Sequence, residues 1–346
     1  MTSSKLFTKS LSGGSIPAPL VNESVIRKSL LKFGDFGKRI KAIPRLHHRR
    51  LEASTMETPR IHLGTSSFTA AGWSGSFYPK GLKPAEYLAF YSEHFDSVEI
   101  DSTFYSCPSP STVKGWALKT PDDFIFAVKV PQTITHEKVL VDCDEEFNQF
   151  VETMSILGGK LGPMVLQFPY FTSDLFQKHE QFLSRLKAFL KKIPSGYKFA
   201  VEIRNKQWLN DRLADLLREH KVALVLQDRE WMPMPNELAE TFEPITTNWT
   251  YIRWLGDRKG IEQITRTWDR TVVDRTSKLS SWVDYCQQVQ RRGVTIFAYA
   301  NNHFAGHAPA TVRQFRELWS AKGLPTLEPP RRVHKETSLS LFDETA

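Results

Sequence analysis

Eight short apolar runs cross the chain between Arg60 and Ala300: Ile61–Thr65, Val98–Asp101, Phe124–Val130, Pro163–Phe168, Phe199–Arg204, Val222–Asp228, Tyr251–Gly256 and Val294–Ala300. Helix-like segments separate most of them, and nearly every run ends in polar or charged residues. Strands read as continuous apolar runs when helices cover a parallel sheet. Eight of them in β/α alternation over about 250 residues predict a single (β/α)8 TIM-like barrel. The carboxyl ends of the strands are where such a barrel carries its reactive groups.

Side chains two apart in a strand share a face. In Phe199–Arg204, Val201 and Ile203 are expected to face helices, leaving Ala200, Glu202 and Arg204 inside. The same alternation turns Glu99 and Asp101, Lys129, and Gln167 inward from the second, third and fourth strands. Tyr251, Arg253 and Leu255 share a face of the seventh, with Arg253 its charged member. Buried charge is costly unless paired, so charges of both signs at one mouth favour a polar ligand site. The bland alternative is a self-satisfied ion-pair network plugging the barrel top.

Three loops extend the candidate site: Thr133-Ile-Thr-His136 after the third strand, Asp228-Arg229-Glu230-Trp231 after the sixth, and Asn301-Asn-His-Phe-Ala-Gly306-His307 after the eighth. Gly306 just before a helix start at Ala308-Pro309 offers free backbone N–H groups to an anion. The metal candidates Glu99, Asp101, His136, Glu202, Asp228 and His303 lie far apart, with no HExxH pair to fix a local geometry. No metal or cofactor is therefore predicted, a divalent metal being the alternative. His136 and His303 read as loop histidines that bond a ligand or stay solvated. Cys107 lacks an assigned base and reads as packing. Phe68, Trp73, Phe77, Tyr78, Phe104, Tyr105, Trp208, Trp231 and Trp254 lie near strand ends, where some stack a ligand and most cover hydrophobic edges. GxSxG, P-loop and GxGxxG patterns do not occur.

The chain has 346 residues, 40% of them apolar, and three cysteines without a CxxC pair, which suits a reducing interior and a cytoplasmic setting. Its net charge of +8 belongs to one end. Residues 1–60 hold twelve basic and four acidic residues, and the remainder holds 34 of each. Residues 1–58 are a basic leader with one expected helix, Val25–Phe33. It reads as an over-extended start with Met56 opening the folded part, or as a transit peptide to an organelle, or as a basic arm for phosphates. Residues 59–322 form the barrel, and 323–346 a polar, Pro-bearing tail. Within the tail, Leu339, Leu341 and Phe342 resemble the peptides that bind bacterial sliding clamps, although Ser338 stands where that motif prefers Gln. The net-neutral barrel argues against nucleic acid as the main partner, and no apolar stretch approaches a membrane span.

Gly64-Thr-Ser66, Tyr78-Pro79, Val98-Glu-Ile-Asp-Ser-Thr-Phe-Tyr105, Lys129, Ile134-Thr-His136, Leu161-Gly-Pro163, Gln167-Phe-Pro169, Val201-Glu-Ile-Arg204, Trp208, Asp228, Tyr251-Ile-Arg253, Gly256, Asn301-Asn302 and Gly306-His-Ala-Pro309 run in order along the barrel. Together they resemble the DUF72, or YecE-like, family. The resemblance implies a TIM-like fold and a site map, and no reaction. Asp101 stands where that family commonly has Asn, Leu255 where members with Tyr-x-Arg-x-His-Gly have His, and Ala300 where an aromatic precedes Asn-Asn.

These observations predict an enzyme for a small polar or anionic, phosphate- or sugar-like ligand, with hydrolase, lyase and isomerase chemistry all open. Glu202 is the leading general acid or base, and Lys129, Glu99, His136 and Asp228 complete the catalytic set. Asp101, Thr103, Gln167, Arg204, Arg253, Asn301, Asn302, His303 and Gly306 are the expected ligand contacts. The alternatives are a nuclease-like, nucleic-acid-associated barrel and a non-catalytic ligand-binding barrel.

Overall fold

The computed structural model describes residues 60–327. The leader with its expected helix and the Leu339–Phe342 patch lie outside the described residues. Eight parallel strands, β1 (Ile61–Thr65), β2 (Ser97–Ile100), β3 (Ile125–Lys129), β4 (Leu161–Gln167), β5 (Phe199–Glu202), β6 (Ala223–Asp228), β7 (Trp249–Trp254) and β8 (Thr295–Ala300), pair in the order β1-β8-β7-β6-β5-β4-β3-β2. This is a nearly closed (β/α)8 barrel. Each strand lies within two residues of its apolar run at either end.

Helices alternate with the strands: α1 (Tyr87–His94), α2 (Pro110–Leu118), α3 (Asp144–Ser155), α4 (His179–Leu190), α5 (Asp211–Glu219), α6 (Pro235–Ala239), α7 (Arg258–Ile264), α8 (Thr276–Arg291), α9 (Asn302–Ala305) and α10 (Ala308–Ala321). Local signals set their starts. Ser109 caps α2 ahead of Pro110, and Asn210 caps α5 by accepting from Leu213 N–H. Their buried faces recur at helical spacing, as in Leu213, Ala214, Leu216 and Leu217 of α5 or Leu279, Trp282, Val283, Cys286 and Val289 of α8.

The outward strand residues Val98, Phe126, Val128, Leu166, Val201 and Ile203 meet these helices in the main core. A second core fills the barrel itself. There Trp249, Tyr251, Phe297 and Tyr299 of β7 and β8 face the small residues Ala127, Ala200 and Ala223. Bulk on one wall and methyl groups on the other let the layers interdigitate.

The barrel has one weak join, between β1 and β2, where a single parallel bridge links Ser66 to Glu99. The Tyr91 hydroxyl takes the place of a ladder there. It accepts from Thr65 N–H at 2.8 Å and donates to the Ser97 carbonyl at 3.2 Å. Gly64 makes the approach sterically feasible, since a Cβ there would stand 2.0 Å from the Ser97 carbonyl oxygen. Beyond α10, Leu324 and Leu327 pack against the core, and Trp319 donates to the Pro325 carbonyl at 2.8 Å. Among the described residues, no helix is long and apolar enough to cross a membrane.

Candidate functional site

The strand ends β2, β5 and β7 bring one guanidinium between two carboxylates. Arg253 lies 2.7 Å from Glu99 through Nη2 and 2.5 Å from Glu202 through Nη1. Tyr251 donates to the second oxygen of Glu99 at 2.7 Å, and Gln167 accepts from Arg253 at 3.3 Å. Both glutamates have no solvent exposure and Arg253 has 2%. Burial opposes charge on Glu202, but Arg253, then Arg204 and Arg229, outweigh it and hold the carboxyl at about 2. Glu99 is likewise lowered, burial being overcome by Arg253 and Lys129. Burial works against the charge of Arg253, and Glu99 and Glu202 reverse it, raising its pKa.

Above this layer opens a cavity of about 430 Å³. Its wall includes Asp101, Lys129, Gln167, Arg204, Arg229, Arg253 and Arg258, with His136, Asn301, His303 and the Phe104 and Tyr105 rings. The mouth therefore holds both expected arrangements, a self-satisfied ion-pair layer below and an open polar cavity above. Glu99 and Glu202 belong to the lower layer and do not line the cavity. A carboxylate held at about 2 and sealed under Arg253 is a poor proton carrier near neutral pH. Their geometry is that of groups that orient Arg253, and Glu202, expected as the general acid or base, has no face on the cavity.

Lys129 ends β3 and reaches the cavity with its amine 5.5 Å from the Phe104 ring centroid. That amine makes no ion pair or hydrogen bond with any described residue; the nearby glutamates are held by Arg253. Burial, then the charge of Arg253, pushes its amine down to about 8. Asp101 is raised, chiefly by burial. Burial, with Arg204 and Lys129 adding to it, lowers His136 to about 4, so its ring is neutral at pH 7. His136 Nδ1 lies 2.9 Å from the Thr135 hydroxyl.

Several of the expected site residues make bonds to the scaffold. Asp228 has the same strand parity as Leu224 and Leu226 and faces the helices, outside the cavity. It bonds Lys278 at 3.0 Å and the Trp282 indole N–H at 2.8 Å, tying β6 to α8. Thr103 is buried; its hydroxyl accepts from Lys129 N–H at 3.0 Å and so fixes the end of β3. Asn302 accepts from Trp73 Nε1 at 3.2 Å and from Ala308 N–H at 2.9 Å. It thereby caps α10, the helix start expected to hold an anion. Gly306 is buried beside that start with φ 111°, and a Cβ there would meet Arg270 O at 2.6 Å, so close chain approach explains it. Asn301 caps α9, its Oδ1 accepting from His303 N–H at 2.9 Å and lying 2.6 Å from His303 Nδ1. His303 Nε2 lies 3.0 Å from Glu262 Oε1.

Arg229, Gln132 and Arg258 also reach the cavity wall. Arg229 stacks on Trp231 at 4.8 Å, its pKa lowered to about 10 by burial and by Arg204. Its place one residue past β6 was a usable signal; nothing local marked Gln132 or Arg258. Trp73 and Trp254 are fully buried and Trp208 is sealed among Phe171, Phe182 and His179, so these cover hydrophobic edges. Cys107 is half-buried beside Pro108.

A second cavity of about 420 Å³ shares Asp101, Asn301 and His303 with the first. Ser66, Ser67, Thr69 and Ser102 line it with Phe68, Trp116 and Trp268. Ser66 Oγ is buried without a hydrogen-bond partner among the described residues, and Ser67 sits at φ 119°, an uncommon backbone for a residue with a Cβ. Among the described residues, no group of three or more His, Cys, Asp or Glu side chains converges to hold a metal ion.

The model of the family described as "Protein of unknown function DUF72" matches residues 62–334. UPF0759 protein YecE of Escherichia coli K12 is 36% identical over 121 residues, 35% of this chain. The chain spans 42% of that relative's length. UPF0759 protein YunF of Bacillus subtilis 168 is 26% identical over 275 residues, covering 71% of this chain and 92% of YunF. The crystal structure of a DUF72 family protein from Thermotoga maritima MSB8 superposes with a TM-score of 0.60 at 26% identity, over 75% of this chain and 99% of that one. The chain belongs to the DUF72 family.

Proposed function

We propose that the chain is an enzyme whose barrel mouth binds a small phosphate- or carboxylate-bearing ligand. The cavity wall carries this reading. Among the described residues, Asp101 is its only lining carboxylate, against Lys129, Arg204, Arg229, Arg253 and Arg258. Arg258 is neutralised by Glu262 at 2.8 Å. The glutamates that balance Arg253 lie beneath it, so the face a ligand meets is more positive than the site as a whole. Lys129 and Arg229 are donors with capacity to spare, as is the Nη end of Arg204, whose Nε contacts Glu202 at 3.4 Å, and a guanidinium suits a bidentate oxyanion. Lys129 is the group whose charge changes near neutral pH. The hydroxyls and aromatic walls of the second cavity suit an uncharged, hydroxyl-bearing part of the same ligand.

Thermal unfolding of the full chain with inorganic phosphate, phosphorylated sugars and organic acids tests this. A ligand at 100 times its Kd adds about 2.7 kcal/mol, a rise of several degrees in Tm. The expected result is a rise with at least one anion that Arg204→Ala removes. Unchanged Tm with every anion at tens of millimolar overturns the reading.

A second reading, a single-stranded nucleic acid over the mouth, draws on Tyr105 at 72% exposure and Trp231 at 47% beside these cations. It predicts oligonucleotide binding whose affinity falls steeply with salt.

A further inference from the structure

We propose, building on the anion-binding reading above, that Lys129 is a covalent site: its Nζ condenses with the aldehyde or ketone carbon of the bound anion, forming an imine and releasing water. The substrate class is thus an oxo-acid or a carbonyl compound bearing phosphate.

The environment of Lys129 is unlike that of the lysines that pair with acidic residues. Lys138, Lys187, Lys192, Lys278 and Lys322 each reach a carboxylate within 3.3 Å. Lys129 sits near Glu99, Glu202 and Asp101, yet pairs with none of them. Arg253 already holds both glutamates, at 2.7 and 2.5 Å. The amine is left facing a cavity, over the Phe104 ring. Its backbone is pinned through Thr103, whose hydroxyl accepts from Lys129 N–H at 3.0 Å. An amine without a salt bridge, beside a fixed guanidinium, sheds its proton more readily than a surface lysine, and nucleophilic attack requires that free lone pair.

The chemistry balances without an oxidant or metal. The neutral amine attacks the carbonyl carbon, and the carbonyl oxygen takes a proton to give a carbinolamine. A second proton on that oxygen lets it leave as water, while nitrogen loses its original protons to form the C=N bond. Asp101 and His136 line the same cavity and are placed to carry these protons. The anionic end of the ligand falls to Arg204 and Arg229.

Reductive trapping on the full chain tests the assignment. The protein is treated at pH 7 with sodium cyanoborohydride and either formaldehyde or glyceraldehyde 3-phosphate, and the modified lysines are mapped by peptide mass spectrometry. Lys129 is expected to react at least tenfold faster than the exposed Lys187 and Lys192 with both reagents. Inorganic phosphate slows the phosphorylated aldehyde at Lys129 and leaves the surface sites unchanged. The readout uses the wild-type chain, so it does not depend on a variant folding. Labelling of Lys129 no faster than the surface lysines, while phosphate still raises Tm, overturns the covalent role and leaves anion binding standing. Rapid labelling that phosphate does not slow overturns delivery of the carbonyl by the anion pocket. Absence of a Tm shift with any anion, by contrast, removes the anion reading itself.

Discussion

Arg253 Nη2 lies 2.7 Å from Glu99 Oε1, and this pair is buried inside the barrel. Among the described residues, removing the cation leaves buried Glu99 with only the Tyr251 hydroxyl and Glu202 with only Arg204, at 3.4 Å. Breaking a buried pair by losing one partner costs about 3–5 kcal/mol. Arg253→Met is therefore expected to lower unfolding free energy by at least about that amount, read by urea denaturation. A loss below about 1 kcal/mol would mean that the layer is not stabilising in the way its geometry indicates.

The same layer fixes an acid limit. The Glu202 carboxyl is held at about 2, below its ordinary 4.5. A lowered folded-state pKa gives stability that is fully present above about pH 4.5 and fades as pH falls toward 2. The wild-type chain is expected to lose stability across that window, and Glu202→Gln to flatten this part of the profile. Equal acid slopes for the two proteins would contradict the assignment.

Lys129 sets a limit on the basic side. With its amine lowered to about 8, phosphate affinity should fall as pH rises through 8, where the site loses a positive charge. Stability moves oppositely. The unfolded chain keeps this proton up to about 10.5 and the folded chain releases it near 8, so Lys129 contributes rising stability between those values. Titration calorimetry of phosphate binding at pH 6.5 and 9 checks the first expectation, and Lys129→Met should remove most of the difference.

Asp228 makes a clean control. Its bonds to Lys278 and Trp282 are expected to make Asp228→Ala about 1–3 kcal/mol less stable. The phosphate-induced Tm shift should remain as in the wild type. Loss of that shift in a folded Asp228→Ala protein would return Asp228 to the site.

Gly256 sits at φ 64°, and a Cβ there would stand 2.4 Å from the His303 carbonyl oxygen. Gly256→Ala is expected to cost more than about 1 kcal/mol and to displace the α9 turn that carries Asn301 and His303. Unchanged thermal stability would argue against that close approach.

Strand parity carried most of what was legible in the sequence. It turned Glu99, Lys129, Gln167, Glu202 and Arg253 inward because a barrel strand has only two faces. Parity alone also separates Asp228, which follows Leu224 and Leu226 outward, from Gln227, which points inward and donates to the Ile203 carbonyl at 2.7 Å. Position at a strand end does not by itself separate the two. The glutamates were placed on the correct face, but their role depends on which cation each meets, and sequence distance hides that. Glu99 and Arg253 are 154 positions apart. The α10 start looked open because its cap, Asn302, comes from the preceding turn six residues earlier. Gln132 and Arg258 reach the wall from beyond the strands, where no periodicity fixes direction.

The join between β1 and β2 gives the second cavity a mechanical meaning. Ser66 and Ser67 follow β1, Ile100 ends β2 and Ser102 lies just beyond it, and all four line that cavity. A molecule bridging these two segments would act as a clasp across the join where the Tyr91 hydroxyl stands in for a backbone ladder. Its arrival would be recorded as slowed amide exchange along Leu63–Thr65 and Val98–Ile100, at the barrel's own suture, as well as at the residues it touches.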